Sequence, residues 1–225
     1  MVHGYRWTIL SIALVILFVA SACSHGGYEV GDGKDSYVQA DFVEAYTASD
    51  NAVYSAVTDE GDSLLLVPRL KVSWIKQANA KVRGLLYYNK VVDSSTEGLR
   101  LVAVPVVDWH PTTWFRSLHV DPITFESAWI SKNNRYLNIG FSVLTGEQTS
   151  EMKGQTLGLI ATDSLVVGGK LRRIDLTLYH DQGGVPQYYS SRGYISVPLT
   201  RLPSGCLINL RINSYKGVIF KTFKK

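Results

Sequence analysis

The sequence predicts an all-β protein in which a five-stranded OB-like barrel is followed by an antiparallel β-sandwich. From Tyr37 onward, short strand-like stretches alternate with turn residues such as Ser49-Asp50-Asn51, a spacing typical of small barrels and sandwiches. Later in the chain, residues 171–180 alternate apolar and polar side chains, which indicates a strand with one buried and one solvated face. Helical periodicity is scarce beyond residue 23, which favours the all-β class.

The first β domain is predicted over residues 37–117. The longest connection between its strands covers residues 68–80 and lies between the third and the fourth. Five strands of this length and spacing suit a small closed or nearly closed barrel, and an OB-type barrel is the favoured form. The five stretches are residues 38–42, 52–57, 63–67, 81–92 and 99–107.

The second β domain is predicted over residues 118–225, after a joint at residues 108–122 where Pro111 and Pro122 break extended structure. Its strands are expected at residues 125–130, 136–144, 171–180 and 206–213, with a polar loop at 145–155. The alternation places one set of side chains inward in a sandwich. That set contains Leu176, Leu178, Ile208 and Leu210, with Cys206 as a small buried hydrophobe.

The composition excludes several classes of protein. Of the 225 residues, 46% are apolar and 19% are charged, which permits a packed core and argues against disorder. Two cysteines are too few to staple a small secreted scaffold. The net charge of +4 is dispersed along the chain. Nucleic-acid binding needs a basic face, so no nucleic-acid partner is expected.

The first 22 residues read as a signal peptide. Arg6 precedes an apolar run at residues 8–20, which is short for a membrane span of about 20 residues but fits an export signal. The run ends in Ala20-Ser21-Ala22-Cys23, where two cleavage interpretations compete. Ordinary signal peptidase would use the A-x-A pattern. A small pair before cysteine also resembles a bacterial lipobox, although Ala20 stands where leucine is usual.

Both interpretations start the mature chain at Cys23, and lipidation of Cys23 is the favoured one. Residues 23–36 would then be a lipidated cysteine and a flexible, glycine-rich tether. The predicted partner is a membrane, reached through the acyl chains, and the predicted location is the outer membrane. Ser24-His25-Gly26-Gly27 contains no acidic residue, so both the periplasm-facing and the cell-surface positions stay open.

A search of the sequence for catalytic motifs returns none. It has no G-x-S-x-G, H-E-x-x-H, P-loop or paired Cys-x-x-Cys motif. His110 and His119 are near enough in sequence to share a metal with Asp108 or Asp121, but their spacing is not specific. His180 is read as a strand-end histidine satisfied by the backbone. We therefore expect a protein that is not an enzyme, without cofactor or metal.

Six residues are candidates for ligand binding: Trp109, His110, Trp114, Tyr188, Tyr189 and Arg192. Exposed aromatic rings stack on sugars or peptides, and barrels and sandwiches often bind through such faces. The alternative, which we favour, is that Trp109 and Trp114 hold the two domains together while the tyrosines pack at a strand edge.

Several short motifs are spread along the chain. They are the leader with its cysteine, Tyr28-Glu29-Val30-Gly31-Asp32, Ala128-Trp129-Ile130, Tyr136-Leu137-Asn138-Ile139, Leu176-Thr177-Leu178-Tyr179-His180, Gly183-Gly184-Val185-Pro186 and Arg192-Gly193-Tyr194-Ile195-Ser196-Val197. Together they resemble the NigD-like lipoproteins. The resemblance implies an OB-like domain followed by a β-sandwich, exported as a lipoprotein by Gram-negative anaerobes. The family is named after a bacteriocin-associated gene, and the name implies no settled activity.

Three functions follow as hypotheses. The first is a non-catalytic envelope lipoprotein that binds a partner protein or an extracellular ligand such as a glycan. The second is an accessory or immunity-like factor associated with a bacteriocin. The third is a periplasmic hydrolase, which would require a polar pocket with convergent titratable groups.

Overall fold

The computed structural model describes residues 38–147 and 153–225. The predicted signal peptide, Cys23 and the tether lie outside these residues. Val38–Lys225 form one compact unit. The described residues contain fourteen β-strands, and their one helical element is a short 3-10 turn at Thr112–Trp114. In this part of the chain, no helix is long and apolar enough to cross a bilayer.

The first six strands form a closed barrel. They are β1 (Gln39–Thr47), β2 (Val53–Thr58), β3 (Ser63–Leu70), β4 (Lys81–Tyr88), β5 (Ser95–Thr96) and β6 (Gly98–Ala103), in the sheet order β5-β3-β2-β1-β4-β6. β5 and β6 are one strand interrupted at Glu97. β5 pairs in parallel with β3, and β6 pairs antiparallel with β4. The interrupted strand therefore joins both edges of the sheet, and the predicted OB-like barrel is confirmed.

The barrel core consists of the inward-facing side chains of these strands. Val43 and Ala45 of β1 and Leu86 of β4 are fully buried, as period-2 alternation requires. At Gly84 of β4, a Cβ would lie 2.5 Å from Leu101 Cδ1 and 2.8 Å from the backbone oxygen of Val102, both in β6. A residue larger than glycine would therefore push the two strands apart.

The remaining eight strands form two sheets. They are β7 (Trp109–Pro111), β8 (Thr124–Ile130), β9 (Tyr136–Thr145), β10 (Thr156–Val167), β11 (Lys170–Asp181), β12 (Tyr189–Pro198), β13 (Leu207–Ser214) and β14 (Gly217–Lys224). One sheet has the order β14-β13-β11-β10-β7 and the other β12-β9-β8. Most pairs are antiparallel, while β11–β13 and β10–β7 are parallel. The core lies between the sheets, as a sandwich requires.

The inward phase of the sandwich is as the sequence predicts. Leu176, Leu178, Ile208 and Leu210 are at most 2% exposed, and Cys206 is buried with them. Strands β7, β10, β12 and β14 were not expected from the sequence. The prediction that the joint at residues 108–122 breaks extended structure at its start is wrong, because Trp109–Pro111 pairs in parallel with β10. The register between β10 and β11 shifts near Ala161 and Leu165, so β10 lacks an unbroken alternation that would have revealed it.

Strand β9 is buried on both faces, which is how the barrel and the sandwich meet. Leu137 and Ile139 face the sandwich core, whereas the alternate residues Tyr136 and Asn138 contact barrel residues. Tyr194 of β12 packs edge-on against Phe42 of β1, with ring centroids 5.2 Å apart. The outer face of the three-stranded sheet therefore packs against strands of the barrel.

A buried arginine is at the centre of this contact. Arg83 of β4, with 2% of its side chain exposed, donates to both carboxylate oxygens of Asp59 at 2.7 Å. It also donates to Asn138 Oδ1 and to Ser196 Oγ, each at 3.1 Å. The guanidinium lies 4.2 Å from the centre of the Tyr136 ring. Bidentate, charge-assisted bonds of this kind fix geometry strongly, so the barrel and the sandwich have a defined mutual position.

Candidate binding cleft at the barrel–sandwich boundary

A cleft of about 550 Å³ lies where the barrel meets the sandwich. Leu85 and Tyr87 of β4 line it from the barrel, and Phe141 and Tyr194 line it from the sandwich. Its volume falls within the usual range for small-molecule and peptide-side-chain sites, about 300–1,000 Å³.

The connection between the domains forms another wall of this cleft. Val104, Pro105 and Val107 line it, and their backbone is bonded to β12. Val107 N donates to Ser196 O, and Ser196 N donates to Pro105 O, both at 2.9 Å. The connection is therefore held against the sandwich. This wall of the cleft is rigid, whereas a linker without such bonds would be mobile.

Two arginines give this largely apolar cleft its charge. Arg100 of β6 is exposed and has no side-chain partner among the described residues. Arg192 of β12 is paired with Glu126. A bond of 2.6 Å from the Ser142 hydroxyl lowers the pKa of Glu126 against the opposing effect of burial, and Arg192 lowers that pKa further. Glu126 is therefore ionised at neutral pH. Arg100 is the guanidinium open to an incoming anionic group.

A second cleft of about 340 Å³ adjoins the first, since Val107 and Leu157 line both. The His110 and Trp114 rings stack at its edge, 4.4 Å apart and 11° from parallel, and Trp114 is 68% exposed. Phe115 stacks on Tyr179 with centroids 4.8 Å apart. The His110–Trp114 pair forms an aromatic surface with an exposed face, a geometry suited to stacking.

The candidate residues named from the sequence separate into three places. His110 and Trp114 line the second cleft, and Arg192 lines the first. Tyr188 and Tyr189 are 81% and 58% exposed and line neither of these clefts. Cys23 lies outside the described residues.

Trp109 and Trp114 differ in their surroundings. Trp109 packs against the sandwich core, with the Arg201 guanidinium 4.2 Å above its ring. Trp114 is mostly exposed. The described contacts between barrel and sandwich include instead those of Arg83, Phe42 and Glu44. That the tryptophans hold the domains together stays a prediction for Trp109 alone, because a side chain as open as Trp114 buries little area.

Sequence reasoning did not find Arg100, Tyr87 or Tyr194. Each lies on a strand face that becomes part of a cleft only when the domains pack together. The available signal was a charged residue, Arg100, within an otherwise apolar strand, Leu99-Arg100-Leu101-Val102. That signal also fits an ordinary solvated strand face.

Groups that could support catalysis are poorly placed for it. Burial raises the pKa of the Cys206 thiol, which disfavours the thiolate. His180 is buried, with Nδ1 3.1 Å from Asp121 O, the predicted backbone partner, but its buried Nε2 has no hydrogen-bond partner among the described residues. Ser117 Oγ lies 2.7 Å from His119 Nε2, but within the described chain His119 donates no hydrogen bond to a carboxylate.

One group of side chains has the composition of a metal site. Ligand atoms of His119, Asp121 and Asp181 lie within 4.8 Å of one another. Of the residues considered from the sequence, His119 and Asp121 therefore come together. His110, which stacks on Trp114, is not in this group.

The architecture defines the class of protein: an all-β protein in which an OB-like barrel packs on a β-sandwich. Residues 106–224 match the NigD-like C-terminal beta sandwich domain. Because this match covers more than half of the chain, the protein belongs to the NigD-like family, as its sequence motifs suggested. None of the curated protein sequences matches the chain.

Solved structures share the fold over most of the chain. A NigD-like immunity protein from Bacteroides caccae ATCC 43185 has a TM-score of 0.62 at 19% identity, over 83% of this chain and 96% of that one. A candidate toxin-related protein from Parabacteroides distasonis ATCC 8503 has a TM-score of 0.62 at 18% identity, over 84% and 93%. A candidate lipoprotein from Bacteroides fragilis NCTC 9343 has a TM-score of 0.51 at 10% identity, over 83% and 96%. At these identities the likeness shows a common fold.

Proposed function

We propose that the protein is a non-catalytic lipoprotein of the cell envelope that binds a partner protein or an extracellular ligand in the cleft between barrel and sandwich. The observation that carries the proposal is the cleft itself, of about 550 Å³ with walls from both domains. Its apolar walls would bury aliphatic or aromatic groups of the ligand. Arg100 would take up an anionic group such as a carboxylate.

Anchoring at the outer membrane is part of this proposal. It is supported by the signal-peptide pattern that ends at Cys23 and by the fold shared with the Bacteroides fragilis candidate lipoprotein. A lipid anchor would hold the protein at the membrane and leave both clefts of the folded part free for a partner. Periplasm-facing and cell-surface positions both fit.

The test is capture of a partner from native envelopes with the anchor intact, followed by titration of the purified partner. Arg100→Glu reverses the charge at the cleft, whereas Arg172→Glu makes the same change at an exposed arginine outside it. We expect Arg100→Glu to abolish capture and Arg172→Glu to leave it unchanged. Equal capture by both variants would place the binding surface elsewhere.

A second function is favoured by one specific finding, the similarity to a protein described as a NigD-like immunity protein. In that case the cleft would receive a secreted toxin. Deleting the gene should then sensitise the cells to a bacteriocin made by the same or related strains. Restoring the wild-type chain should protect them, and Arg100→Glu should not. Unchanged sensitivity after deletion would exclude the immunity function.

A further inference from the structure

His119, Asp121 and Asp181 come together from two segments that the backbone holds in register. Asp121 N donates to His180 O at 2.9 Å, and His180 N donates to His119 O at 3.1 Å. This short parallel bridge fixes residues 119–121 beside the end of β11. The three ligand atoms lie within 4.8 Å of one another, and none of them belongs to the cleft proposed above for binding.

Besides these backbone bonds, each of the three side chains makes a hydrogen bond that orients it. Gln182 N donates to Asp121 Oδ2 at 2.8 Å, and Gly183 N donates to Asp181 Oδ1 at 2.9 Å. His119 Nε2 lies 2.7 Å from Ser117 Oγ. The other potential ligand atoms are Nδ1 of His119, Oδ1 of Asp121 and Oδ2 of Asp181, and the last of these is bonded to Lys153. Partners of this kind orient metal ligands in known sites.

A cation already lies at the cluster. The ammonium of Lys153 is 2.8 Å from Asp181 Oδ2. This bond, together with the bond from Gly183 N, lowers the pKa of Asp181 and keeps it ionised at neutral pH. The Lys153 side chain is 73% exposed, so it can swing into solvent without loss of packing. The cluster thus brings two carboxyl groups together with a single ammonium group.

We propose that His119, Asp121 and Asp181 form a binding site for a divalent transition-metal ion, which displaces the Lys153 ammonium. One imidazole with two carboxylates suits ions such as Zn²⁺ better than Mg²⁺ or Ca²⁺, which prefer oxygen ligands throughout. Zinc bonds of about 2.0–2.1 Å place tetrahedral ligands about 3.3 Å apart. Since the ligand atoms lie within 4.8 Å of one another, each distance between them has to shorten by about 1.5 Å at most when zinc binds. In the sequence, the spacing of His119 and Asp121 was not specific enough to predict a metal site, and the proposal is independent of the cleft.

The test is calorimetric titration of Zn²⁺ into the chain from Cys23 onward, in detergent and without a polyhistidine tag. We expect one ion per chain. Asp121→Asn and His119→Gln should each weaken binding by at least about tenfold, since even a supporting residue is worth about ten- to a hundredfold. Lys153→Met should tighten binding several-fold, because it removes the competing ammonium.

Two control variants address adventitious imidazole binding. His25→Gln alters a histidine close to Cys23, and His110→Gln alters a histidine outside the cluster. Both should bind zinc as the wild type does, and circular dichroism should show every variant folded. The proposal is overturned if the wild type shows no saturable binding at millimolar zinc. It is also overturned if binding survives Asp121→Asn, is lost in either control, or is unchanged in Lys153→Met.

Discussion

Arg83 of the barrel donates a hydrogen bond from its Nε to the Ser196 hydroxyl of the sandwich, over 3.1 Å. Ser196 in turn donates to Asn138 Oδ1 at 2.7 Å, and Asn138 donates to Asp59 Oδ2 at 2.9 Å. The chain of bonds returns to Arg83 through Asp59. The barrel and the sandwich are thus joined by a closed polar network, whose members depend on one another for partners.

Replacing Arg83 should therefore destabilise the whole folded unit. Arg83→Met leaves Asp59 with one of its two side-chain partners, and an unpaired buried charge costs about 3–5 kcal/mol. Urea unfolding measures the free energy of unfolding. Arg69→Met is the matched control, because Arg69 and Asp50 form an exposed pair 3.7 Å apart, worth about 0–1 kcal/mol. If Arg83→Met lowers the free energy of unfolding no more than Arg69→Met does, the Arg83 network stabilises the fold no more than an exposed ion pair.

The buried carboxylate of Glu44 should make stability depend on pH. Burial raises the pKa of Glu44, but the bond from Tyr136 at 2.7 Å and the cations Lys81 and Arg135 outweigh it, so the pKa is lowered overall. Burial and the Glu44 bond raise the pKa of Tyr136 to about 12, so its hydroxyl stays a donor.

A carboxylate whose pKa is lower in the folded state binds fewer protons there than in the unfolded chain. Its contribution is complete above the unfolded pKa of 4.5 and is lost as the pH falls through the folded pKa. Unfolding free energies of the wild type should fall below pH 4.5, and Glu44→Gln should flatten that fall. Glu60→Gln, at an exposed pair with Lys132, should leave the slope unchanged. A Glu44→Gln curve parallel to the wild type would contradict the assignment.

The inward phase of β11 gives a third prediction. Leu176 is 1% exposed in the sandwich core, so Leu176→Ala should lower the free energy of unfolding by about 2–5 kcal/mol. Leu165, 45% exposed near the tip of the β10–β11 hairpin, is the matched control, and Leu165→Ala should change stability by less than about 0.5 kcal/mol. If the two substitutions cost the same, Leu176 does not face a packed core.

Leu176 and Arg83 also show which features of the fold could be predicted from the sequence alone. The inward set around Leu176 was predictable, because a strand with one wet face has to alternate. Arg83 was not predictable as a buried residue. It is buried where the barrel meets the sandwich, and one of its partners there, Ser196, lies 113 positions later in the chain. A charged side chain in a strand ordinarily faces water.

The candidate sites were predicted less well than the fold, for the same reason. His110 and Trp114 are neighbours in sequence and remain neighbours in space. Arg100 and Arg192 meet at one cleft only after the domains dock, and Asp181 reaches Asp121 only through the bridge at His180. Such long-range pairings leave no local pattern for a single sequence to show.

The division into domains at residues 117 and 118 remains a prediction, and limited proteolysis tests it. Residues 112–114 and 116–118 are exposed, so trypsin should cut early after Arg116. The two fragments should stay together on gel filtration, because the Arg83 network holds them, and should separate in urea. Arg116→Gln should remove this cut. Early cleavage within the barrel or the sandwich strands, with the joint intact, would contradict the division.

The last prediction concerns Cys23, on which the proposed anchor depends. The Cys23 sulfur would take the diacylglycerol, and a serine hydroxyl cannot replace the thiol in that chemistry. Each buried methylene contributes about 0.8 kcal/mol, so one acyl chain binds only marginally and several hold durably. Mass spectrometry of the N-terminal peptide from native cells should show an acylated Cys23. Cys23→Ser should give either an unprocessed precursor or a soluble protein cut after Ala22, with the same unfolding free energy for residues 38–225. An unmodified Cys23 in wild-type protein would leave a plainly secreted protein, in which case membrane attachment could not be part of its function.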